Sequence, residues 1–138
     1  MKKLSLTPFT RAVTRLERAI AVPTDLLNDF QIEMIRDAII QRFEYTYELA
    51  WKFIRRAIRE MEGETVLDQM LTRHDLFRKA AELKLIEDVT AWMDYHEARN
   101  ITSHIYDVEV AIRVHGSALR FVHDARKLLM VLQSRYDA

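Results

Sequence analysis

Apolar side chains recur along this chain at spacings of three and four, and the interruptions divide it into helices. Phe9, Val13, Leu16 and Ile20 keep that spacing, the mark of one buried helical face. Thr7 before Pro8 reads as an N-cap followed by proline at the first helical position, and Pro23 as the stop. Asn28 or Asp29 caps a second helix, with apolar positions Ile32, Ile35, Ile39, Phe43, Thr46, Ala50, Phe53, Ala57 and Met61. The alternation lasts about thirty residues, to Gly63, and predicts a helix about 45–50 Å long. Thr72 caps a short third helix, with Asp75 in the place of a capping-box partner and Leu76, Phe77 and Ala80 as its apolar side. A fourth helix runs from about Ile86 to about Asn100. Asp107 caps a fifth, which carries Ala111, Val114, Ala118, Phe121, Ala125, Leu128 and Leu132. No segment alternates with period 2 between turn signals, so no strand is expected. The pattern predicts an all-α fold: an up-and-down four-helix bundle with an additional short helix, residues 1–138 forming one helical domain. The second and last helices outrun the others. Their excess seam predicts a two-fold homodimer.

Composition narrows the function. Of 138 residues, 49% are hydrophobic, enough for a packed core and against disorder. Lys plus Arg and Asp plus Glu are both 21, a formal net charge of zero. That argues against a broad basic face gripping long nucleic acid, because such binding runs on phosphate neutralisation. A small site acting on one phosphate stays open. Cysteine is absent, which excludes disulfides and thiolate metal sites. Only two glycines and two prolines interrupt the chain, which favours long helices. The opening Met1-Lys2-Lys3-Leu4 mimics a signal-peptide start, but Pro8, Arg11 and Arg15 cut off any apolar core. No stretch reaches the ~20 apolar residues of a membrane span. The expected location is the cytoplasm, with no membrane contact.

The pattern breaks in the fourth helix. One stripe reads Leu85, Val89, Trp92 and then His96, Arg99, Ser103; its neighbour reads Ile86, Met93 and then Asn100, His104. Both seams turn polar at the same level, and polar groups facing a core are costly unless paired. The run Arg99-Asn100-Ile101-Thr102-Ser103-His104-Ile105-Tyr106 thus gathers a guanidinium, a carboxamide, an imidazole and a phenol. A phosphate-gripping cation beside an imidazole is minimum equipment for cutting a phosphodiester. The bland alternative is a solvated helix end. Arg99 and His104 lie about 140° apart around a straight helix. They converge on one ligand only if the helix bends or ends here, or if a second copy completes the site. Asn100 and His104, at i and i+4, share a face, as do Arg99 and Tyr106 if the helix continues.

Elsewhere, Glu44, Glu48 and Lys52 form an i, i+4, i+8 row. It reads either as a solvated face with helix ion pairs or as carboxylates that orient Arg99. Lys52, Arg55, Arg56 and Arg59 form a basic patch, again a solvated face or a receiver of RNA or an acidic partner. His74, His115 and His123 stand alone. None of the five histidines has Glu three residues before it, against a di-iron bundle. His96-Glu97 lacks a zincin's second histidine, and no metal site is expected. Gly116 within the last helix suggests a close approach of another backbone.

Two stretches are recognisable together. One is Arg42-Phe43-Glu44-Tyr45-Thr46-Tyr47-Glu48-Leu49-Ala50-Trp51-Lys52. The other runs from Thr72-Arg73-His74-Asp75-Leu76 through Trp92-Met93 to Arg99-Asn100-Ile101-Thr102-Ser103-His104-Ile105-Tyr106-Asp107. With them the chain resembles the HEPN superfamily, in particular its nucleotidyltransferase substrate-binding branch. Members are usually encoded beside a minimal nucleotidyltransferase (MNT) and are described as HEPN toxins of toxin–antitoxin pairs. The resemblance implies a metal-independent endoribonuclease without cofactor, whose motif Arg and His from each protomer line a cleft at the dimer interface. It implies an MNT antitoxin partner that attaches AMP to the motif tyrosine and so silences the toxin. Carried over, Arg99 and His104 are catalytic, Asn100 supporting, Tyr106 the AMPylation site and RNA the substrate; Glu44 or Glu48, as the row's carboxylate orienting Arg99, joins them as supporting. The family label also covers members regarded only as binders. The alternative is therefore a non-catalytic nucleotide- or substrate-binding subunit of a two-component nucleotidyltransferase.

Overall fold

A computed structural model describes residues 4–136; the basic opening Met1-Lys2-Lys3 lies outside them. Helices α1 (Thr7–Ile20), α2 (Asp29–Glu62), α5 (Val89–Asn100) and α6 (Val108–Tyr136) form an antiparallel bundle. Helices α3 (Glu64–Asp68) and α4 (Arg73–Glu82) bridge α2 to α5, and a 3-10 turn, Thr102–His104, joins α5 to α6. No strand occurs among the described residues.

Most helix ends follow the local chemistry. Asn28 accepts from the Gln31 backbone while the Gln31 side chain accepts from the Asn28 backbone, a full capping box for α2. At 34 residues, α2 is about 50 Å long. It stops at Gly63, whose φ of +92° is left-handed space that glycine enters without steric cost. Thr72 Oγ1 accepts from Asp75 N at 3.0 Å, and Asp107 Oδ1 from Glu109 N at 2.9 Å. Three details depart from the sequence reading. Helix α1 has Leu6, not Thr7, at its cap position, with no side-chain cap. Leu6 is buried, so packing rather than a hydroxyl fixes the entry of that helix. Helix α5 starts three residues beyond Ile86, because the Asp88 carboxylate accepts from Ala91 N at 3.1 Å; Leu85 and Ile86 are buried in the turn before it. Helix α3 is one turn with a single buried residue, Leu67, too short for periodicity to reveal.

Phe121 on α6 is the hub of the core. Its ring lies 5.2 Å from Phe43 and from Tyr95, 5.7 Å from Trp92 and 6.2 Å from Tyr47, all edge-on, the arrangement that aromatic quadrupoles favour. Helices α2, α5 and α6 therefore meet on one side chain. Thr46, fully buried on α2, spends its hydroxyl on the Arg42 carbonyl at 2.6 Å. Arg126 on α6 grips Glu17 on α1 through two nitrogens. The α2 seam is buried only from Ile39 onward; Ile32 is exposed and Ile35 half-buried. At Gly116 no close backbone approach exists among the described residues: a Cβ on this half-buried glycine would first meet Arg120 Nη1, at 3.9 Å, an ordinary contact.

Truncation of the hub measures its share of stability. Phe121→Ala should cost about 3–5 kcal/mol, the range for buried Phe to Ala. Urea unfolding checks it, and a cost near that of an exposed residue would remove Phe121 from the centre of the core.

Candidate functional site

Arg99 sits in the last turn of α5, facing the middle of α2. Its Nη1 lies 3.3 Å from Glu44 Oε2 and its Nε 3.1 Å from Glu48 Oε1. Glu44 and Glu48, one helical turn apart, form a carboxylate step beneath the guanidinium. The Nε contact is an ion pair off the hydrogen-bond line; charge attraction, not a directed bond, holds that edge. Nη1 also donates to Thr102 Oγ1 at 3.2 Å. The buried Thr102 hydroxyl in turn reaches Glu44 Oε2 and, at 2.9 Å, the Arg99 carbonyl. Nη2 makes no hydrogen bond among the described residues and is not enclosed.

After Asn100 the helix ends. Backbone bonds from His104 N to Ile101 O and from Asp107 N to His104 O, both 3.0 Å, wind the 3-10 turn tighter than an α-helix. Thr102 points inward, while His104 and Tyr106 point out. His104 Nδ1 lies 3.3 Å from the Tyr106 hydroxyl, their rings at 70°, and Tyr106 is 82% exposed.

The termination corrects two facial pairings expected of a continuing helix. Asn100 does not meet His104; its Nδ2 lies 3.4 Å from Nε2 of His96, one turn back. Arg99 and Tyr106 share no hydrogen bond or ion pair among the described residues. Arg99 joins Glu44 and Glu48, and His104 joins Tyr106. The two groups sit at opposite ends of one turn.

A second polar group, to which the sequence reading assigns no role, lies one turn back along α5. His96 Nδ1 is 2.9 Å from the Tyr47 hydroxyl, and Arg73 Nη1 donates to that same hydroxyl at 3.0 Å. The Arg73 guanidinium lies over the Trp51 ring at 3.7 Å, within cation–π range. Trp51 Nε1 donates to Glu48 Oε2 at 3.0 Å, joining this group to the Arg99 site. The signal for His96 is present in the sequence, since it occupies an apolar-stripe position after Trp92. Arg73 gives none, because its partners are 26 and 23 residues away on other helices. Thr102 reads as a spacer inside the run.

Burial pushes the Tyr47 hydroxyl up to about 12, against the opposing pull of Arg73. It stays protonated and donates to His96 Nδ1 while accepting from Arg73. Burial first, and the Arg73 charge second, push the His96 imidazole below its ordinary 6.5. His96 therefore takes up a proton less readily in the folded protein than in the unfolded chain. Among the described residues no three His, Asp or Glu side chains gather as a metal set, and no helix is long and apolar enough to cross a membrane.

A depressed imidazole favours the unfolded chain in acid, because the unfolded state binds the proton more readily. The stabilisation is complete above 6.5 and drains as the pH falls below it. His115, also depressed by burial, adds in the same direction. Thermal melting at about pH 7.5 and about pH 5.5 should show a smaller acid loss in His96→Gln than in the wild type. Equal losses would show that His96 is not held neutral.

Comparison with known proteins agrees with this fold. The family model described as nucleotidyltransferase substrate binding protein like matches residues 4–134. The probable ribonuclease HepT of Haemophilus influenzae is 32% identical over 142 aligned positions, covering 98% of this chain and 97% of that protein. A solved Haemophilus influenzae structure, described as the fold of a substrate-binding domain of a nucleotidyltransferase, superposes with a TM-score of 0.86 at 28% identity. It covers 94% of this chain and 99% of that one. A protein from Thermus thermophilus shares the fold, with a TM-score of 0.74 at 24% identity over 91% of this chain and 98% of that one. The chain belongs to the nucleotidyltransferase substrate-binding protein family, within the HEPN superfamily.

Proposed function

We propose that this protein is an RNA-cleaving toxin that acts as a homodimer through Arg99 and His104 and is silenced by AMP placed on Tyr106. The observation that carries the reading is the Arg99 setting: a cation fixed by two carboxylates, with Nη2 in no hydrogen bond among the described residues, beside a turn that exposes His104. The ribonuclease description of the Haemophilus relative supports it. The RNA 2′-hydroxyl attacks the adjacent phosphorus, and the bond to the 5′-oxygen breaks. The products are a 2′,3′-cyclic phosphate and a 5′-hydroxyl. His104 takes the proton from the nucleophile or returns one to the leaving oxygen. Two copies of the imidazole, one from each protomer, cover both tasks. Arg99 steadies the charge on phosphorus. A bidentate grip is closed to it, because Nη1 and Nε already face carboxylates. The contact is made by Nη2, with Glu44 and Glu48 fixing its direction.

The homodimer draws support from α6, which begins next to the site. Val108, Ile112 and Leu119 stand exposed on it at helical spacing, apolar area that a second copy would cover. The partner nucleotidyltransferase would add AMP by attack of the Tyr106 oxygen on the α-phosphorus of ATP, releasing pyrophosphate. The bulky anionic adduct would then stand 3.3 Å from the His104 imidazole, blocking it and competing for nearby cations. The second reading, a non-catalytic subunit that presents a nucleotide to that partner, draws on the substrate-binding description of the structural neighbour.

RNA cleavage by the purified protein in EDTA separates the two readings. Arg99→Ala should slow it about 10²–10³-fold and His104→Ala about 10²–10⁴-fold. Undiminished cleavage in both variants overturns the assignment, and nucleotide binding without any cleavage favours the adaptor. For the modification, incubation with the nucleotidyltransferase and ATP followed by mass spectrometry should show an AMP adduct that is lost in Tyr106→Phe. An adduct that persists in that variant places the site elsewhere.

A further inference from the structure

Between Trp51 and Arg59 the sequence holds four cations and no carboxylate, in a chain whose net charge is zero. Lys52, Arg55, Arg56 and Arg59 are spaced i, i+3, i+4, i+7, which puts them on one face of α2. Lys52, Arg55 and Arg56 are exposed, while Phe53, Ile54, Ala57 and Ile58 turn into the core. Together with Trp51 the four cations line a shallow cleft of about 330 Å³. Arg59 is neutralised by Glu64 at 2.7 Å. The other three have no carboxylate within 4.0 Å among the described residues.

Arg73 extends this row toward the candidate site. It too has no carboxylate partner within 4.0 Å among the described residues; its protein contacts are the Tyr47 hydroxyl, His96 and the Trp51 face. A half-buried guanidinium held only by neutral groups keeps its whole charge for a ligand. Only Nη1 is engaged, and Nε and Nη2 are not enclosed. Trp51 ties the row to the reaction centre, since its indole supports Arg73 on its face and donates to Glu48 from its edge. The Lys52 ammonium stands 5.8 Å from the same ring. The order along the surface is Arg99, Glu48, Trp51 with Arg73, then Lys52, Arg55 and Arg56.

We infer that Arg73 and the Lys52–Arg55–Arg56 face form a phosphate-binding track that holds single-stranded RNA alongside the phosphate cleaved at Arg99. The inference rests on the ribonuclease reading and adds its substrate class: a single strand extending past the cleavage point in one direction. The Arg73 fork takes the phosphate nearest the centre, and the α2 cations take those beyond. A single strand suits the spacing, because the cations of each copy form one row along one helix. An acidic protein surface is the competing occupant.

The test compares wild type with Arg55→Ala/Arg56→Ala, two exposed positions whose truncation leaves the core intact, and with Arg73→Gln. Melting temperature confirms folding of each. With single-stranded RNA as substrate, the double variant should raise KM and leave kcat unchanged, the sign of lost uniform binding. Binding of the same oligonucleotide in a His104→Ala background should lose about 0.7 in the slope of log Kd against log salt for each phosphate contact removed, about 1.4 for the pair. Arg73→Gln, made on the same background, should lower the slope as well. Wild-type cleavage with unchanged KM and slope in the variants overturns the track and leaves the ribonuclease standing. The same result with lost binding of the nucleotidyltransferase assigns the face to that protein instead. Failure of the wild type to bind or cleave RNA removes the ribonuclease reading, and the track with it.

Discussion

The Arg99 guanidinium cannot stand alone on the α2–α5 seam, and the surrounding structure is arranged around that requirement. A partly buried cation loses water that something must replace. Glu44 and Glu48 replace it from the facing helix, and Thr102 closes the ring from the turn beyond. Three elements are thereby tied to one charge. The facing acids can reach it only because Phe43, Tyr47, Trp92 and Tyr95 gather on Phe121 one layer below and fix how α2 and α5 lie against each other.

The same constraint arranges the polar group beside it. Glu48 gives one oxygen to Arg99 and the other to the Trp51 indole, and Trp51 lies under Arg73. One carboxylate thus orders two cations, directly and through an aromatic ring. Burial and the Arg73 charge disfavour the His96 cation against the weaker pull of Glu48 and Glu97; a protonated imidazole 3.5 Å from Arg73 Nη1 would set a second positive charge beside that guanidinium. Tyr47, protonated throughout the physiological range, is the neutral spacer that lets a histidine and an arginine share one pocket.

The bundle was readable because helix periodicity and capping are local. Asn28, Thr72 and Asp107 act where the sequence placed them, and the stripe through Phe43, Ala50, Phe53 and Ala57 is buried as expected. Reading failed where one local signal was overruled by another or by packing. Buried Leu6 displaced the Thr7 cap, Asp88 delayed α5, and no other backbone comes close to Gly116 among the described residues. The polar break in α5 pointed to a candidate site without giving its membership. The contacts of Arg99 with Glu44 and Glu48 follow from two helices crossing at one level, one of the two readings that the row of Glu44, Glu48 and Lys52 left open. Arg73 reaches Tyr47 from a third helix, and no periodicity encodes that distance.

Placement of His104 on a turn beyond the helix that carries Arg99 has a physical logic. On a continuing helix, Arg99 and His104 would point about 140° apart, one inward and one away. Ending the helix at Asn100 and winding the next residues into a 3-10 turn frees their relative direction, at the expense of backbone bonds that must be met elsewhere. Thr102 meets that need from inside, bonding the Arg99 carbonyl and Glu44, so the turn is anchored by the same carboxylate that fixes the arginine. His104 and Tyr106 are then carried outward on an anchored hook, close enough to touch. On the proposed reading this placement is what couples reaction and control. The group that moves protons and the group that accepts the silencing nucleotide share one short turn, so a change at Tyr106 is felt at His104 without any rearrangement of the bundle.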